Sequence, residues 1–222
     1  MNKKRILFSA AALIFVALLA WLFIASSKPL PGEKALQDGR KHIPEGFKVD
    51  YKFNPPTSGD HYPSWIKKGF YEEPRNDGNL VHSEEHGYVI IWYDCERKAQ
   101  VMENVILSKA KDIFFTSFRM TTAYAQRTGM TQGSEGSPSA SLESMPESFR
   151  NGSCDNLKGQ LKDIYQKYGP HKIIVVPRVG MDAPIILTAW GRMEKLNSVD
   201  QNKIKEFIDA YRDVGPEQTN EP

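Results

Sequence analysis

An apolar stretch near the N-terminus constrains this chain more than any other feature. Residues 6–25 are apolar except for Ser9, and about 20 helical residues at about 1.5 Å each match the roughly 30 Å hydrocarbon core of a bilayer. Positions 3–5 are Lys, Lys and Arg, and such positive residues stay on the cytoplasmic side. The sequence therefore predicts a single-pass transmembrane anchor at 6–25, with residues 1–5 in the cytoplasm and the following domain on the periplasmic or extracellular side.

A cleaved secretory signal is the alternative interpretation of the same stretch. Small residues at positions 25–27, Ala-Ser-Ser, could form a cleavage site. Signal cores, however, run to only about 7 to 15 apolar residues, and this one is longer. The length favours an uncleaved anchor, and both interpretations export the domain.

The rest of the chain divides into a linker, one domain and a tail. Residues 26–40 carry Ser, Pro, Gly and charge without periodicity, as linkers do; a domain is predicted at 41–217 and a tail at 218–222. The net charge is +2 with 25% charged residues, which indicates neither nucleic acid nor an acidic partner. The membrane is the expected partner, through residues 6–25, and nucleic acid is not expected.

The chain has two cysteines, Cys95 and Cys154. Outside the reducing cytosol, a lone pair of cysteines is typical of one disulfide. The alternative is two unpaired thiols, because sequence alone does not give the distance between them.

Hydrophobic patterns predict an α+β fold. Residues 47–53 alternate apolar and polar, which favours a half-buried strand, and the apolar run 88–93 is typical of a buried strand. His82 and His86 are expected to lead directly into that central strand. Residues 172–177 and 184–190 are predicted as two strands that form an antiparallel pair.

Two helices complete the predicted domain. Residues 154–168 have apolar positions at helical spacing and end at Gly169-Pro170; a last helix is capped by Ser198 or Asp200 and ends near Gly215-Pro216. Its predicted apolar face is Ile204, Phe207, Ile208 and Tyr211. The expected fold is a small mixed sheet, with the strands near 88 and 172 parallel, and helices packed against it.

Several motifs resemble those of a bacterial family, domain of unknown function 3105. They are His42, the run Pro55-Pro-Thr-Ser-Gly-Asp-His61-Tyr-Pro, the run Val81-His-Ser-Glu-Glu-His-Gly87, Cys95, Cys154 and Ile186-Leu-Thr-Ala-Trp-Gly191. The resemblance covers about residues 40–217 and implies an exported or membrane-anchored protein without an established activity. It also implies only a short turn between the cysteines, so residues 97–153, helical at first and then rich in Gly, Ser, Thr and Pro, are interpreted as an insertion.

Clustered histidines indicate a metal site. Four of the five histidines, His42, His61, His82 and His86, lie close together in the sequence, and imidazole is the commonest metal ligand in proteins. A Pro-rich loop that holds His61 opposite His82 and His86 would supply three nitrogens. The alternative is that these histidines only hydrogen-bond the backbone and pack beside aromatic side chains.

The identity of the metal follows from the remaining ligands. Met181 could add a thioether, and histidine with methionine suits copper, whereas three histidines with a carboxylate or water suit zinc. Copper is the sequence-based preference, with zinc next. Glu85 would then orient an imidazole or remain a solvated charge.

Two further functions are compatible with the sequence. His82-Ser-Glu-Glu85-His86 matches the His-x-x-Glu-His pattern of inverted zinc proteases, but no downstream glutamate on a helix is evident as a third ligand. Alternatively, Tyr62, Trp65, Phe70 and Tyr71 beside Lys67 and Lys68 would form an aromatic surface for an envelope protein. Ordinary core packing of these aromatics is the simpler interpretation.

Overall fold

The structure, a computed structural model, describes residues 13–19, 21, 29–97 and 145–219. The chain separates into two units, Met1–Leu30 and Pro31–Pro222. In the first unit, residues 13–19 and 21 are helical. Within the described ranges, no helix has both the length and the apolar character that crossing a bilayer requires.

Parts of the sequence-based predictions lie outside the described residues. Most of the predicted anchor at 6–25 belongs to this group, as do positions 98–144 of the predicted insertion and the last three residues of the tail.

A six-stranded mixed sheet forms the centre of the second unit. In order of pairing, its strands are β1 (Glu33–Lys34), β6 (Arg192–Leu196), β5 (Ile185–Ala189), β3 (Val89–Tyr93), β4 (Ile173–Pro177) and β2 (Gly69–Phe70). Its helices are α1 (Asp77–Glu85), α2 (Asp155–Lys167) and α3 (Gln201–Tyr211), with a short 3₁₀ turn at Glu147–Phe149. The predicted α+β class is confirmed.

The central strand β3 separates two apolar layers. Val89, Ile91 and Tyr93 face a cluster that includes the buried sides of α2 and α3. Ile90 and Trp92 face a second cluster, which includes Leu80 of α1. Because neighbouring strand residues point to opposite faces, the sheet has α2 and α3 on one side and α1 on the other.

The predicted parallel pair is confirmed, but the predicted antiparallel partner of β4 is wrong. Val89 of β3 lies opposite Ile173 of β4 in parallel register. β5, by contrast, pairs with β3 rather than with β4. The connection after β4 passes over the end of β3, where the Met181 amide donates to the Asp94 carboxylate, and so delivers β5 to the opposite edge of β3.

The predicted strand at 47–53 is also wrong. This segment is irregular, and its polar groups bond to side chains and loops: the Lys52 amide donates to the Gln37 side chain, and the Tyr51 hydroxyl donates to the Asp60 carbonyl. Phe47 at its start is 64% exposed. The alternation of residue types therefore reflects separate loop contacts, since no strand in the described part of the chain pairs with this segment.

Strands β1, β2 and β6 were not predicted. β1 lies within the predicted linker at 26–40, where it pairs with β6. β6 follows β5 through a tight turn at Trp190-Gly191, where Gly191 has a φ of +67°. These strands carry few apolar residues, so hydrophobic periodicity does not reveal them.

The predicted helices are confirmed with small changes at their ends. Leu157, Leu161 and Ile164 are the buried residues of α2. Asp200 caps α3 by accepting the amides of Asn202 and Lys203. The predicted face of α3 is buried as expected, although this helix ends at Tyr211, before Gly215-Pro216.

A disulfide joins Cys95 to Cys154, with 5.5 Å between their Cα atoms, as predicted. Cys95 follows β3 and Cys154 is the N-cap of α2. The bond therefore fixes the helix to the end of the central strand.

Candidate metal site

Helix α1 carries two of the candidate ligands, His82 and Glu85. It begins at the N-cap Asn76, whose side chain accepts from the Gly78 amide. It ends where the Gly87 and Tyr88 amides donate to the carbonyls of Glu84 and Ser83, the Schellman pattern, with Gly87 in the left-handed region at φ +80°. The expectation that His82 and His86 enter the strand directly is therefore wrong, because a glycine-capped helix comes first.

Helix α1 is buried although it is largely polar. Ser83, Glu84 and Glu85 are all at most 1% exposed. Burial raises the pKa of Glu84 well above its usual value. Because the interior accommodates a neutral carboxyl group at lower cost than a charged one, burial favours the protonated form of Glu84.

The Pro-rich loop places His61, and backbone pairing brings His42 beside it. The His61 amide donates to the Lys41 carbonyl at 3.0 Å, and the Ile43 amide donates to the His61 carbonyl at 2.8 Å. The Lys41 amide also donates to the Asp60 carboxylate. These bonds fix two neighbouring histidines in parallel pairing.

Three imidazoles and one carboxylate converge at this point. The ring centroids of His42, His61 and His82 are 4.7 to 5.0 Å apart. Together with Glu85, these histidines offer four ligand atoms that all lie within 4.8 Å of one another. The side chains of His61 and Glu85 are buried, at 0% and 2% exposure, whereas His42 is 49% exposed. We call these four residues the inner group.

The hydrogen bonds of two rings fix which nitrogen faces the centre. Nδ1 of His61 lies 2.8 Å from the Gly59 carbonyl, and Nδ1 of His82 lies 2.7 Å from the Tyr62 carbonyl. Because a carbonyl oxygen only accepts, each Nδ1 carries a proton, and in the neutral ring Nε2 presents its lone pair. Imidazoles that bind metals are held in the same way.

Electrostatics keep His82 in the neutral form that binds metals. Burial lowers the pKa of His82 from its usual value, and the nearby His86, His61 and His42 lower it further, against the raising effect of the bond to Tyr62. The lone pair of Nε2 is therefore available at neutral pH.

The contact between His61 and Glu85 favours a cation between them. Nε2 of His61 lies 2.9 Å from Oε2 of Glu85, but within the described structure this buried Nε2 makes no hydrogen bond. With Nδ1 protonated, a lone pair faces a carboxylate oxygen, and a proton or a metal ion would relieve the repulsion between them. Arg40 pairs with the other oxygen of Glu85.

A second set of ligands adjoins the first and shares His82. His82, His86 and Glu217 offer three ligand atoms within 4.8 Å of one another. The rings of His82 and His86 are 4.5 Å apart, and Trp65 packs edge-on against His86 at 4.8 Å. We call these three residues the outer group.

The structure does not bring Met181 to the histidines. Met181 is fully buried in the cluster that contains Trp92, and its amide bonds to Asp94, beyond the C-terminal end of β3. His86 precedes the opposite end of the same strand. Glu85 occupies the position of a fourth ligand instead.

The structure meets one condition of the protease hypothesis and opposes another. His82 and His86 adjoin each other, and Glu217 places a downstream carboxylate beside them, although it lies after α3 rather than on a helix. The two oxygens of Glu85, however, face Arg40 and His61. This placement opposes its use as a general base toward water on the outer group.

The predicted aromatic surface is mostly core. Tyr62 is 8% exposed, and Phe70 and Tyr71 pack against the two apolar clusters. Trp65, at 38%, is the most exposed of the four predicted aromatics. An envelope protein partner stays a prediction.

Sequence reasoning missed Arg40 and Glu217, and took Glu85 for an orienting or solvated residue. Arg40 and Glu217 lie at the edges of the predicted domain, where no periodic pattern marks them. Gly87 could have indicated that Glu85 lies on a helix, because a glycine directly after His-Ser-Glu-Glu-His is typical of a helix end.

Residues 213–219, which follow α3 and which we call the C-terminal tail from here on, return to the end of α1 and are held there by Lys172. Nζ of Lys172, a residue that is 4% exposed, donates to the carbonyls of His86 and Thr219 and pairs with Asp213 at 3.1 Å. Gly215 passes so close that an added Cβ would lie 2.1 Å from the Glu85 carbonyl oxygen. The tail is therefore part of the fold around the histidines.

We expect Asp213→Asn to destabilise the domain by about 0.5 to 1 kcal/mol at pH 7, a small value because the side chain is half exposed. Burial alone would raise the pKa of Asp213, but hydrogen bonds from Lys172 and His171 hold it below its usual value of 3.8. Its stabilisation is therefore present above about pH 3.8 and is lost as the pH falls through the lower folded-state value. Asn tolerates the φ of +64° at this position.

Chemical denaturation of both proteins between pH 2 and 7 checks this expectation. The difference between them should shrink below about pH 3.8. A difference that stays constant across the range would mean that the charge of Asp213 is not what stabilises the tail.

Comparison with known proteins gives a family. No curated protein and no solved structure matches the chain significantly. One family model matches residues 42–127 and 149–222, which is more than half of the chain, and leaves 128–148 within the predicted insertion unmatched. That family is described as "Protein of unknown function (DUF3105)", and this chain belongs to it, as the motifs in the sequence indicated.

Proposed function

We propose that this protein binds one divalent transition-metal ion in the inner group, and that residues 6–25 anchor the domain on the extracytoplasmic side of a membrane. The observation that carries the proposal is that Nε2 of His61, which is buried and makes no hydrogen bond among the described residues, lies 2.9 Å from Oε2 of Glu85. A metal ion bound to both atoms would balance the charge of the carboxylate there, as a proton on Nε2 also would. His42 and His82 complete the set of four ligand atoms.

The ligand chemistry favours zinc over the copper that the sequence suggested. Three imidazole nitrogens and one carboxylate oxygen are typical zinc ligands, whereas a thioether such as Met181 would favour copper. In a tetrahedral zinc site, neighbouring ligand atoms lie about 3.3 Å apart. The distances from Oε2 of Glu85 to His61 and to His42, 2.9 and 3.9 Å, bracket this value.

The disulfide supports the extracytoplasmic location. Disulfides persist in oxidising compartments and are rare in the cytosol. The bond between Cys95 and Cys154 thus agrees with the export that the basic residues before the apolar stretch indicate.

The metal content of the full chain tests the proposed function. The protein is purified in detergent from its native compartment, without a metal-affinity tag, and analysed for zinc and copper together with the Met181→Leu variant as a matched control. We expect about one zinc ion per chain in both proteins. Copper that is lost in Met181→Leu would overturn the choice of zinc and of the inner group.

The alternative is a metal-free envelope interaction domain, in which Trp65 is the most exposed of the four predicted aromatics. If neither protein contains metal, and added Zn²⁺, Cu²⁺ and Cu⁺ do not bind, the metal proposal is wrong. The interaction domain then becomes the better hypothesis.

A further inference from the structure

The outer group is built by the fold rather than by chance exposure. His86 is 4% exposed, and Glu217 lies 3.9 Å from its Nε2. The segment that carries Glu217 is fixed by its backbone, because the Glu217 amide donates to the Glu85 carbonyl at 3.1 Å and the Asp213 amide donates to the Gly87 carbonyl at 2.9 Å. Glu217 is thereby held beside α1.

Lys172 reinforces this placement on the C-terminal side of Glu217. Its Nζ donates both to the His86 carbonyl and to the Thr219 carbonyl. One buried cation thus ties His86, the residue directly after α1, to the tail that supplies Glu217. Because the backbone is fixed on both sides of Glu217, only its side chain has to be ordered for the carboxylate to reach a metal ion bound at His86.

His82 belongs to both groups but has only one ligand atom to give. Its Nδ1 is engaged by the Tyr62 carbonyl, so Nε2 is the single nitrogen that can bind a metal. One nitrogen lone pair binds one ion. The inner and outer groups are therefore alternative positions for the same ion, not sites for two ions that both use His82.

The two groups differ in exposure and in the number of ligands. The inner group has four ligand atoms, two of them on side chains with at most 2% exposure. The outer group has three, and its carboxylate, Glu217, is 45% exposed. The inner position should hold the ion more tightly, whereas the outer position leaves room for a ligand from solvent or from an acceptor molecule.

We propose that the outer group is a transit position, through which the ion bound by the inner group exchanges with an external acceptor while His82 stays bound to it. In each transfer, His86 and Glu217 replace His42, His61 and Glu85 as ligands. The ion therefore stays bound to His82 until the acceptor takes it. This inference rests on the proposed function of the inner group. It gives the protein the role of a metal donor or carrier, with a small chelator or a metal-binding partner as the acceptor.

Zinc-transfer kinetics of the full chain test the transit position. Protein loaded with one Zn²⁺ is mixed with an excess of a chromogenic chelator, and uptake is followed in the reverse direction with the metal-free chain. The variants are His86→Gln and Glu217→Gln, with Glu33→Gln and Glu206→Gln as controls, because these two exposed residues belong to neither group. Near-UV circular dichroism confirms that each variant keeps its fold.

We expect both rates to fall at least tenfold in His86→Gln and in Glu217→Gln, with the affinity for zinc changed less than threefold. Removing a position on the exchange path slows uptake and release by the same factor, because the free energies of the zinc-loaded and the metal-free protein do not change. The control variants should match the parent protein.

Three results would overturn the transit position. Unchanged rates in both variants would place exchange elsewhere, for example at the exposed His42. Faster release with weaker binding would show that His86 and Glu217 are ligands of the tightly bound ion. Two ions bound at once would contradict the inference that the inner and outer groups are alternative positions for one ion on His82. A parent chain that binds no zinc would instead refute the proposed function itself.

Discussion

His61→Asn is expected to weaken zinc binding by at least about a hundredfold. Structural zinc sites gain about 10 to 16 kcal/mol from their ligands, so one of four ligands accounts for roughly 3 kcal/mol, and about 1.4 kcal/mol is a tenfold change in affinity. Asn is the matched replacement because its amide NH₂ lies where Nδ1 of histidine lies. It can keep the bond to the Gly59 carbonyl while Nε2 is removed.

Competition with a zinc chelator of known affinity measures this loss in the full chain. His82→Asn, which can keep the bond to the Tyr62 carbonyl, should lose a similar amount, and His171→Asn should bind zinc as the parent does. If His61→Asn and His82→Asn bind zinc with parental affinity, the inner group is not the site.

Replacement of both cysteines, Cys95→Ala and Cys154→Ala, is expected to lower the free energy of unfolding by about 4 kcal/mol. The disulfide closes a loop with a sequence separation of 59 residues, and a loop of this length restricts the unfolded chain by about that amount in the chain-entropy model. Alanine avoids burying new hydroxyl groups at positions that are 3% and 1% exposed. For a domain of this size, the midpoint of thermal unfolding should fall by about 10 °C.

Thermal and denaturant unfolding of the variant, compared with the parent protein before and after reduction, gives the measurement. The reduced parent and the variant should agree, because both lack the same cross-link. A variant that unfolds within about 1 kcal/mol of the oxidised parent would show that the disulfide contributes little to stability.

The sequence predicted the elements whose burial is apolar and periodic. The run 88–93, the parallel strand at 172–177 and the buried faces of α2 and α3 were recognisable, because each buries apolar side chains at a regular spacing. Helix α1 was missed for the opposite reason. Its buried residues are largely polar, and what fixes the helix is its Asn76 cap, its glycine end and the packing of Leu80.

The candidate site was predicted in part. The histidines His42, His61 and His82 were recognised from their clustering, because residue type alone carries that chemistry. Glu217 could not be assigned, since only the return of the tail to α1 brings it to His86. Met181 was suggested as a ligand because the sequence does not show that the chain after β4 crosses to the far side of β3, where β5 pairs.

The X-ray absorption spectrum of the zinc-loaded full chain, at the zinc K edge, tests the central claim most directly. The inner group predicts four nitrogen or oxygen neighbours at about 2.0 to 2.1 Å, with the outer-shell scattering of three imidazole rings. A sulfur neighbour near about 2.3 Å, or six oxygen neighbours from water, would contradict a site made of His42, His61, His82 and Glu85.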